Sequence, residues 1–164
     1  MAFLKFKGIG ISAIAGAVPK HVIKNLEYTE FFPEEQVKEV VAKVGVYERR
    51  FADAATCSSD LCFAAAQKLL IDNDIDRSEI DLLVFISQTQ DYRMPATACT
   101  LQHRLGLNNS CIAFDVNLGC SAFIYGMSVV YSMMQTGAIR KALILDGETR
   151  SKVYGPRDRR SAFI

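Results

Sequence analysis

Apolar and polar residues follow two periods along the chain, and the changes of period mark its elements. Residues 3–15 alternate loosely around Gly8 and Gly10 and end before Pro19, the pattern of a first strand bent at its glycines. Residues 25–32 and 33–44 read as two short helices, an excursion before the next strand. The second has Pro33 near its first turn, Glu34 and Glu35 at its positive end, and Val37, Val40, Val41 and Val44 on one face. Ser58, Ser59 and Asp60 give a start signal for a helix over 58–70, with Leu61, Cys62, Ala65 and Leu69 turned inward. Residues 81–87 form a continuous apolar run, as expected of a strand covered on both faces. A helix opened by Pro95 and stopped at Gly106, a strand over 111–116, a helix over 120–136 and a strand over 141–146 follow. Strands alternating with helices predict an α/β fold with a central parallel sheet.

The helix after Cys120 carries Phe123, Ile124, Tyr125, Met127, Val129, Val130, Met133 and Met134, so it is apolar nearly all round. That pattern predicts burial on every side, with a further domain or a partner chain covering whatever these residues leave exposed. The chain has 164 residues, of which 50% are hydrophobic and 23% charged, the composition of an ordinary soluble domain that builds its core without disulfides. Five cysteines without a CxxC spacing fit reduced thiols in a cytoplasm and argue against a zinc site. No apolar run approaches the ~20 residues of a membrane span, and the first residues lack a signal-peptide pattern. Gly8 and Gly10 form a GxG inside the first strand without the third glycine of a dinucleotide fingerprint.

The net charge of +1 hides an asymmetry. Arg150, Lys152, Arg157, Arg159 and Arg160 against Asp158 concentrate positive charge near the end of the sequence, either a phosphate-contacting patch or a solvated turn. Basic residues confined to one turn, with no aromatic-rich face, argue against nucleic acid as a partner.

Cys120 falls at the turn between a predicted strand and a predicted helix, after Gly119 and before Ser121. A thiol at a helix N-terminus faces unpaired N–H groups and the positive end of the dipole, which favour thiolate. A small preceding residue lets a carbonyl approach, and the backbone N–H can help form an oxyanion hole. The alternative is an inert cysteine in apolar surroundings.

The segment Phe114-Asp115-Val116-Asn117-Leu118-Gly119-Cys120-Ser121-Ala122-Phe123 closely resembles the nucleophile segment of β-ketoacyl-acyl carrier protein synthase III, a condensing enzyme of the thiolase superfamily. Four further motifs match in order: Gly45-Val46-Tyr47-Glu48-Arg49-Arg50, Ser58-Ser59-Asp60-Leu61, Met94-Pro95-Ala96-Thr97-Ala98 and Gly155-Pro156-Arg157-Asp158-Arg159. The resemblance implies a thiolase-like fold in which residues 1–164 form the N-terminal half, with the C-terminal half absent. It implies that Cys120 takes an acyl group from acyl-CoA and passes it to the carbanion of a decarboxylating malonyl-carrier protein, in fatty acid biosynthesis. Acyl-CoA would be a substrate, with no cofactor, and acyl carrier protein and a second subunit of a homodimer would be the partners.

By the same resemblance, Lys43 and Arg159 would contact the nucleotide end of CoA, Lys43 replacing the family's usual arginine. Met94 would line an acyl pocket at the dimer contact, where the family often has phenylalanine. Glu39 stands where many members have an adenine-stacking tryptophan, and this chain has no tryptophan. The family's catalytic histidine and asparagine belong to the other half, and His21 and His103 do not match them, so the fragment is expected to be inactive alone. Two other readings are a non-decarboxylating acyltransferase of secondary metabolism and a non-catalytic half-domain that binds a partner.

Overall fold

A computed structural model describes residues 3–158 and 161–163. Its elements are β1 (His21–Lys24), α1 (Glu34–Val44), β2 (Glu48–Phe51), α2 (Ser58–Asp72), β3 (Leu82–Ile86), α3 (Thr97–Leu105), β4 (Ile112–Val116), α4 (Ala122–Met134) and β5 (Ala142–Asp146). Short 3-10 turns lie at Asn25–Glu27, Arg77–Glu79 and Arg150–Lys152. The chain forms two compact units: Cys57–Glu148 with the stretch ending at Ala17, and Val18–Thr56 with the residues from Thr149 onward.

The larger unit is built on a parallel sheet in the order β4-β3-β5. Leu82 pairs with Ile112 on one side and Ala142 on the other, and Ile86 with Val116 and Asp146. All five residues of β3 are fully buried, as its unbroken apolar run requires of a central strand. Their side chains alternate between two cores. Leu83 and Phe85 pack with Cys62, Ala66 and Leu70 of α2 and Ala98, Leu101 and Leu105 of α3, whereas Leu82, Val84 and Ile86 pack with Ala122 and Val130 of α4. Helices thus cover both faces of the sheet, and β3 holds the layers together because it is buried on both. The α/β expectation and the strands over 81–87, 111–116 and 141–146 all appear in this unit.

Other expectations change. The buried face of α2 is Cys62, Ala66 and Leu70; of the other residues expected there, Leu69 packs half-buried against the same core, while Leu61 and Ala65 are half-buried. Two apolar rows adjoin on this helix, and the position of the sheet selects between them. Cys57, not Ser58, precedes its first turn, and the Asp60 carboxylate accepts from Cys57 N at 2.8 Å. Helix α3 begins at Thr97, two residues after Pro95, and ends at Gly106, whose φ of 67° closes the turn in the left-handed region. Residues 3–15 form no strand, because they pair with no other strand among the described residues. They run beside α4, with the Phe6 ring edge-on to Tyr131 and Gln135 Nε2 donating to Lys7 O at 2.9 Å.

Helix α4 is not enclosed on every side within this chain. Ala122, Gly126 and Val130 are buried, but Ile124 and Tyr125 remain 61% and 60% exposed. The sheet covers one face, and the described residues supply no second layer for the other.

The smaller unit contains the antiparallel pair β1–β2, which the sequence pattern does not reveal, because each strand is only four residues long. The predicted helix over 25–32 is a single 3-10 turn, followed by bends up to Pro33. Helix α1 matches its expected span, with Val37 and Val41 fully buried against Ala162 and Phe163. Val44, expected on that face, is 42% exposed in the last turn before Gly45, whose φ of 76° ends the helix.

Candidate active site

Cys120 sits in the turn from β4 to α4, two residues before the first residue of the helix, and its side chain is exposed. Two contacts fix the approach to this turn. Ser87 N donates to Val116 O at 3.2 Å, joining the ends of β3 and β4. The Asp115 carboxylate accepts from Thr97 N at 2.8 Å and Ala98 N at 2.7 Å, so the end of β4 caps the start of α3 across 17–18 residues of sequence. Ala122 N then donates to Gly119 O at 2.7 Å, closing the turn around Cys120 at the positive end of α4.

The other strand ends converge on the same edge of the sheet. A Cβ at Gly119 would lie 3.0 Å from Gln88 Oε1, so the amide of Gln88, just past β3, rests against the residue that precedes Cys120. Gln88 is held in turn by Glu148, just past β5. One oxygen of that carboxylate accepts from Gln88 N at 2.7 Å and the other from Thr89 Oγ1 at 2.8 Å. Loops beyond the carboxyl ends of a parallel sheet are the usual place for a ligand in an α/β fold. Sequence reasoning missed Gln88 and Glu148; their only sequence signal is that each is among the first polar residues after an apolar strand.

The loop after β3 is also tied to α2. Ser58 Oγ donates to Thr89 O at 2.7 Å and Ser59 Oγ donates to the Asp91 carboxylate, while Arg104 of α3 pairs with Asp60 of α2 at 2.8 Å. Met94 follows on this loop and is 88% exposed. Met94 and Cys120 are thus placed on the same unit, each on a loop that leaves the carboxyl end of a strand.

The cysteines differ in their surroundings. Cys120 and Cys99 are exposed, Cys57 is half-buried, and Cys62 and Cys111 are buried. Burial, reinforced by the negative charges of Asp146, Asp91 and Glu148, pushes the Cys62 thiol up to about 12. Cys62 therefore stays protonated at neutral pH and serves as core, in keeping with its expected place on the inner face of α2. Burial, together with the Glu148 charge, raises the Asp146 carboxyl above the usual carboxylate range.

Lys43 lies in the smaller unit, exposed in the last turn of α1, where a cation also offsets the helix dipole. Arg159, the other residue assigned to the nucleotide, lies outside the described residues. Several basic residues close to it in sequence are engaged within the smaller unit. Lys152 Nζ donates to Ala54 O at 3.0 Å, Arg150 donates to Tyr154 Oη at 2.8 Å, and the Arg157 guanidinium stacks 5.4 Å from the Phe31 ring centroid. His21 packs edge-on to Phe51, and His103 lies in the last turn of α3. No helix among the described residues is long and apolar enough to cross a membrane.

Residues 114–164, which include Cys120, match the family model for 3-Oxoacyl-[acyl-carrier-protein (ACP)] synthase III. The chain is 31% identical over 155 residues to the beta-ketoacyl-[acyl-carrier-protein] synthase III of Caldanaerobacter subterraneus subsp. tengcongensis, covering 94% of this chain and 46% of that protein. It is 32% identical over 161 residues to the enzyme of the same name from Levilactobacillus brevis, covering 98% and 48%. Among solved structures, a 3-oxoacyl-(acyl-carrier protein) synthase from Burkholderia xenovorans superposes with a TM-score of 0.87 at 42% identity, over 92% of this chain and 44% of that one. OleA of Xanthomonas campestris, crystallised with lauric acid and lauroyl-CoA, superposes with a TM-score of 0.74 at 31% identity, over 88% and 45%. The chain spans about half the length of the relatives it matches. With its α/β sheet and its cysteine turn inside the matched residues, the chain is similar, over nearly all of its own length, to about half of the 3-oxoacyl-[acyl-carrier-protein] synthase III enzymes and has their thiolase-like fold.

Proposed function

We propose that this chain carries the acyl-accepting half of a synthase III-type condensing reaction, with Cys120 as the nucleophile. The observation that supports this most is the exposed thiol on the tight turn into α4, at the edge of the sheet where three strand ends meet. In the first half-reaction, the Cys120 thiolate attacks the thioester carbonyl of acyl-CoA. The sulfur–carbon bond to CoA breaks, CoA leaves as thiolate and takes up a proton, and the acyl group remains on Cys120. In the second, malonyl-carrier protein loses carbon dioxide, its carbanion attacks the Cys120 thioester, and the 3-ketoacyl product leaves with the cysteine regenerated as thiolate. Acyl-CoA is a substrate in this scheme, acyl carrier protein is the second partner, and a homodimer is the working assembly.

Lys43 and Arg159 are assigned to the nucleotide end of the donor, and Met94 to the acyl pocket at the dimer contact. The condensing half-reaction also needs groups that polarise the thioester and stabilise the carbanion. Those are assigned to the part of the relatives' length that this chain does not span, so the 164-residue chain alone is expected not to condense.

The test is mass spectrometry of the intact chain after brief incubation with acetyl-CoA and a series of longer acyl-CoAs, with Cys120→Ala as control. An acyl adduct present in the parent and lost in the variant supports the reading, and the most abundant adduct names the chain length. Labelling that survives in Cys120→Ala refutes Cys120 as the acceptor. Absence of any adduct, with Cys120 no more reactive than Cys99, favours the reading as a half-domain that serves as a binding partner.

A further inference from the structure

We infer that Glu148 is a positioning residue for the turn that carries Cys120 and that it acts through Gln88, an assignment that rests on the reading of Cys120 as the acyl acceptor. The turn has little support of its own. Of residues 117–121 only Gly119 is half-buried, and the others are exposed. Ser121 places no side-chain hydrogen bond on the start of α4, and no acidic residue lies in the first turn of that helix. The bonds from Ala122 N to Gly119 O at 2.7 Å and from Tyr125 N to Ser121 O at 3.1 Å close the turn on itself without setting it against the sheet. That support comes from the loop after β3. A Cβ at Gly119 would lie 3.0 Å from Gln88 Oε1 and 3.1 Å from both Cδ and Nε2, so the whole amide rests against the residue before Cys120, in space that a side chain there would take.

Gln88 is exposed, and its side-chain amide makes no hydrogen bond among the described residues, so the place of that amide follows from its backbone. Glu148 holds the backbone. Its Oε1 accepts from Gln88 N at 2.7 Å, and its Oε2 accepts from Thr89 Oγ1 at 2.8 Å and lies 3.5 Å from Ser87 Oγ. No lysine or arginine among the described residues pairs with this carboxylate, so both of its oxygens serve the turn at residues 87–89. Hydrogen bonds to an ionised acceptor are roughly twice as strong as neutral ones, which makes Glu148 the firmest hold on this loop. Two further bonds complete it: Thr89 N donates to Ser87 Oγ at 3.0 Å, and Ser58 Oγ donates to Thr89 O at 2.7 Å. Glu148 is itself anchored to the core. Gly147 N donates to Ile86 O at 3.1 Å, and a Cβ on Gly147 would lie 2.5 Å from the buried Cys62 Sγ, so the chain passes too close to α2 to move inward. Contacts therefore run without a gap from the core through Gly147, Glu148 and Gln88 to Gly119. A reacting group has to be held to within about half an ångström by residues that are themselves locked in place, and this is the series of contacts that can do so for Cys120.

The test is the rate of iodoacetamide labelling at Cys120, mapped by peptide mass and divided by the rate at Cys99, which is also exposed but lies on α3. A thiol held at the N-terminal N–H groups of α4 reacts as thiolate, and a loosened turn spends less of its time there. Glu148→Ala and Gln88→Ala are each expected to lower the ratio about threefold, and the double variant no further, because both act through one contact. Glu148→Gln keeps an acceptor for Gln88 N and a donor for the Thr89 hydroxyl, so it is expected to retain most of the parent ratio. A merely structural Glu148 lowers the urea midpoint and leaves the ratio unchanged, and that result overturns the inference. So do effects that multiply in the double variant, or a Glu148→Gln ratio as low as that of Glu148→Ala, which would mean that the charge acts and not the hydrogen bonds. If Glu148→Ala does not fold, Thr89→Val, which removes one of the two donors held by the carboxylate, takes its place in the cycle under the same criteria. A parent chain that is labelled at Cys120 yet takes no acyl group from acetyl-CoA overturns the acceptor reading itself, which is a different outcome from variants that are labelled as the parent is.

Discussion

Gly126 lies one turn into α4, buried against β3, and its replacement by alanine tests whether the packing between nucleophile helix and sheet is as close as described. A Cβ at this position would fall within 3.0 Å of Ile86 Cδ1 and at 3.4 Å from Ile86 Cγ1. Ile86 is fully buried in β3, so its terminal methyl must shift within the core to make room. Two terms oppose each other. Replacing glycine by alanine in a helix interior gains about 1 kcal/mol of propensity. Forcing an extra methyl into a filled core costs about 1–3 kcal/mol. The net expectation is a variant destabilised by up to ~2 kcal/mol, whereas propensity alone would stabilise it. Ile86→Val removes the offending Cδ1 at a cost of about 0.5–1.5 kcal/mol. In that background Gly126→Ala should lose its penalty and become stabilising by about 1 kcal/mol. Urea denaturation of the four proteins, followed by circular dichroism, gives the cycle. Additive effects, or a Gly126→Ala single variant more stable than its parent, would show that α4 does not press on Ile86 and would refute close packing of this helix on the sheet.

Further expectations concern the site and the charges around it. Asp115→Ala leaves two backbone N–H groups at the start of α3 without their acceptor and should cost about 1–2 kcal/mol in the same denaturation assay. Brief iodoacetamide treatment at pH 8, mapped by peptide mass, should label Cys120 and Cys99 in the folded chain, while Cys62, buried and with its thiol at about 12, should be labelled only after unfolding. Rapid labelling of Cys62 under native conditions would contradict its place beneath the sheet. The Asp81 carboxylate accepts from Arg140 N at 2.7 Å and Lys141 N at 3.2 Å, which holds it below the usual carboxylate range. Because its folded-state value is depressed, it stabilises the fold above its unfolded pKa of about 3.9 and loses that contribution as pH falls through the folded value. Asp81→Asn should therefore be less stable than the parent at pH 7, with a difference that shrinks below about pH 4 and that thermal melts across this range will read.

What the sequence determined by itself is whatever depends on neighbours along the chain. The run Leu82–Ile86 is a strand because a run that is apolar at every position must be covered on both faces, and the shorter apolar runs that end at Asp115 and Asp146 pair on either side of it. Gly45 and Gly106 end helices because both adopt the left-handed conformation that glycine takes without strain. The turn at Cys120 was legible for the same reason, since a strand, a small residue and a helix start follow one another in sequence. What only the tertiary structure decided involves partners far apart along the chain. Residues 3–15 have the alternation of a strand, but alternation supplies no edge to pair with. The inner face of α2 depended on where the sheet lay, since two adjoining apolar rows are equally good within the helix. The apolar surface of α4 predicted enclosure that the described residues do not provide. Asn25 gave no sequence signal, and Gln88 and Glu148 only their places just past apolar strands, because a polar side chain shows its role through acceptors and donors that folding brings to it from 20 to 140 residues away, as in Asn25 to Val46 and to Phe163.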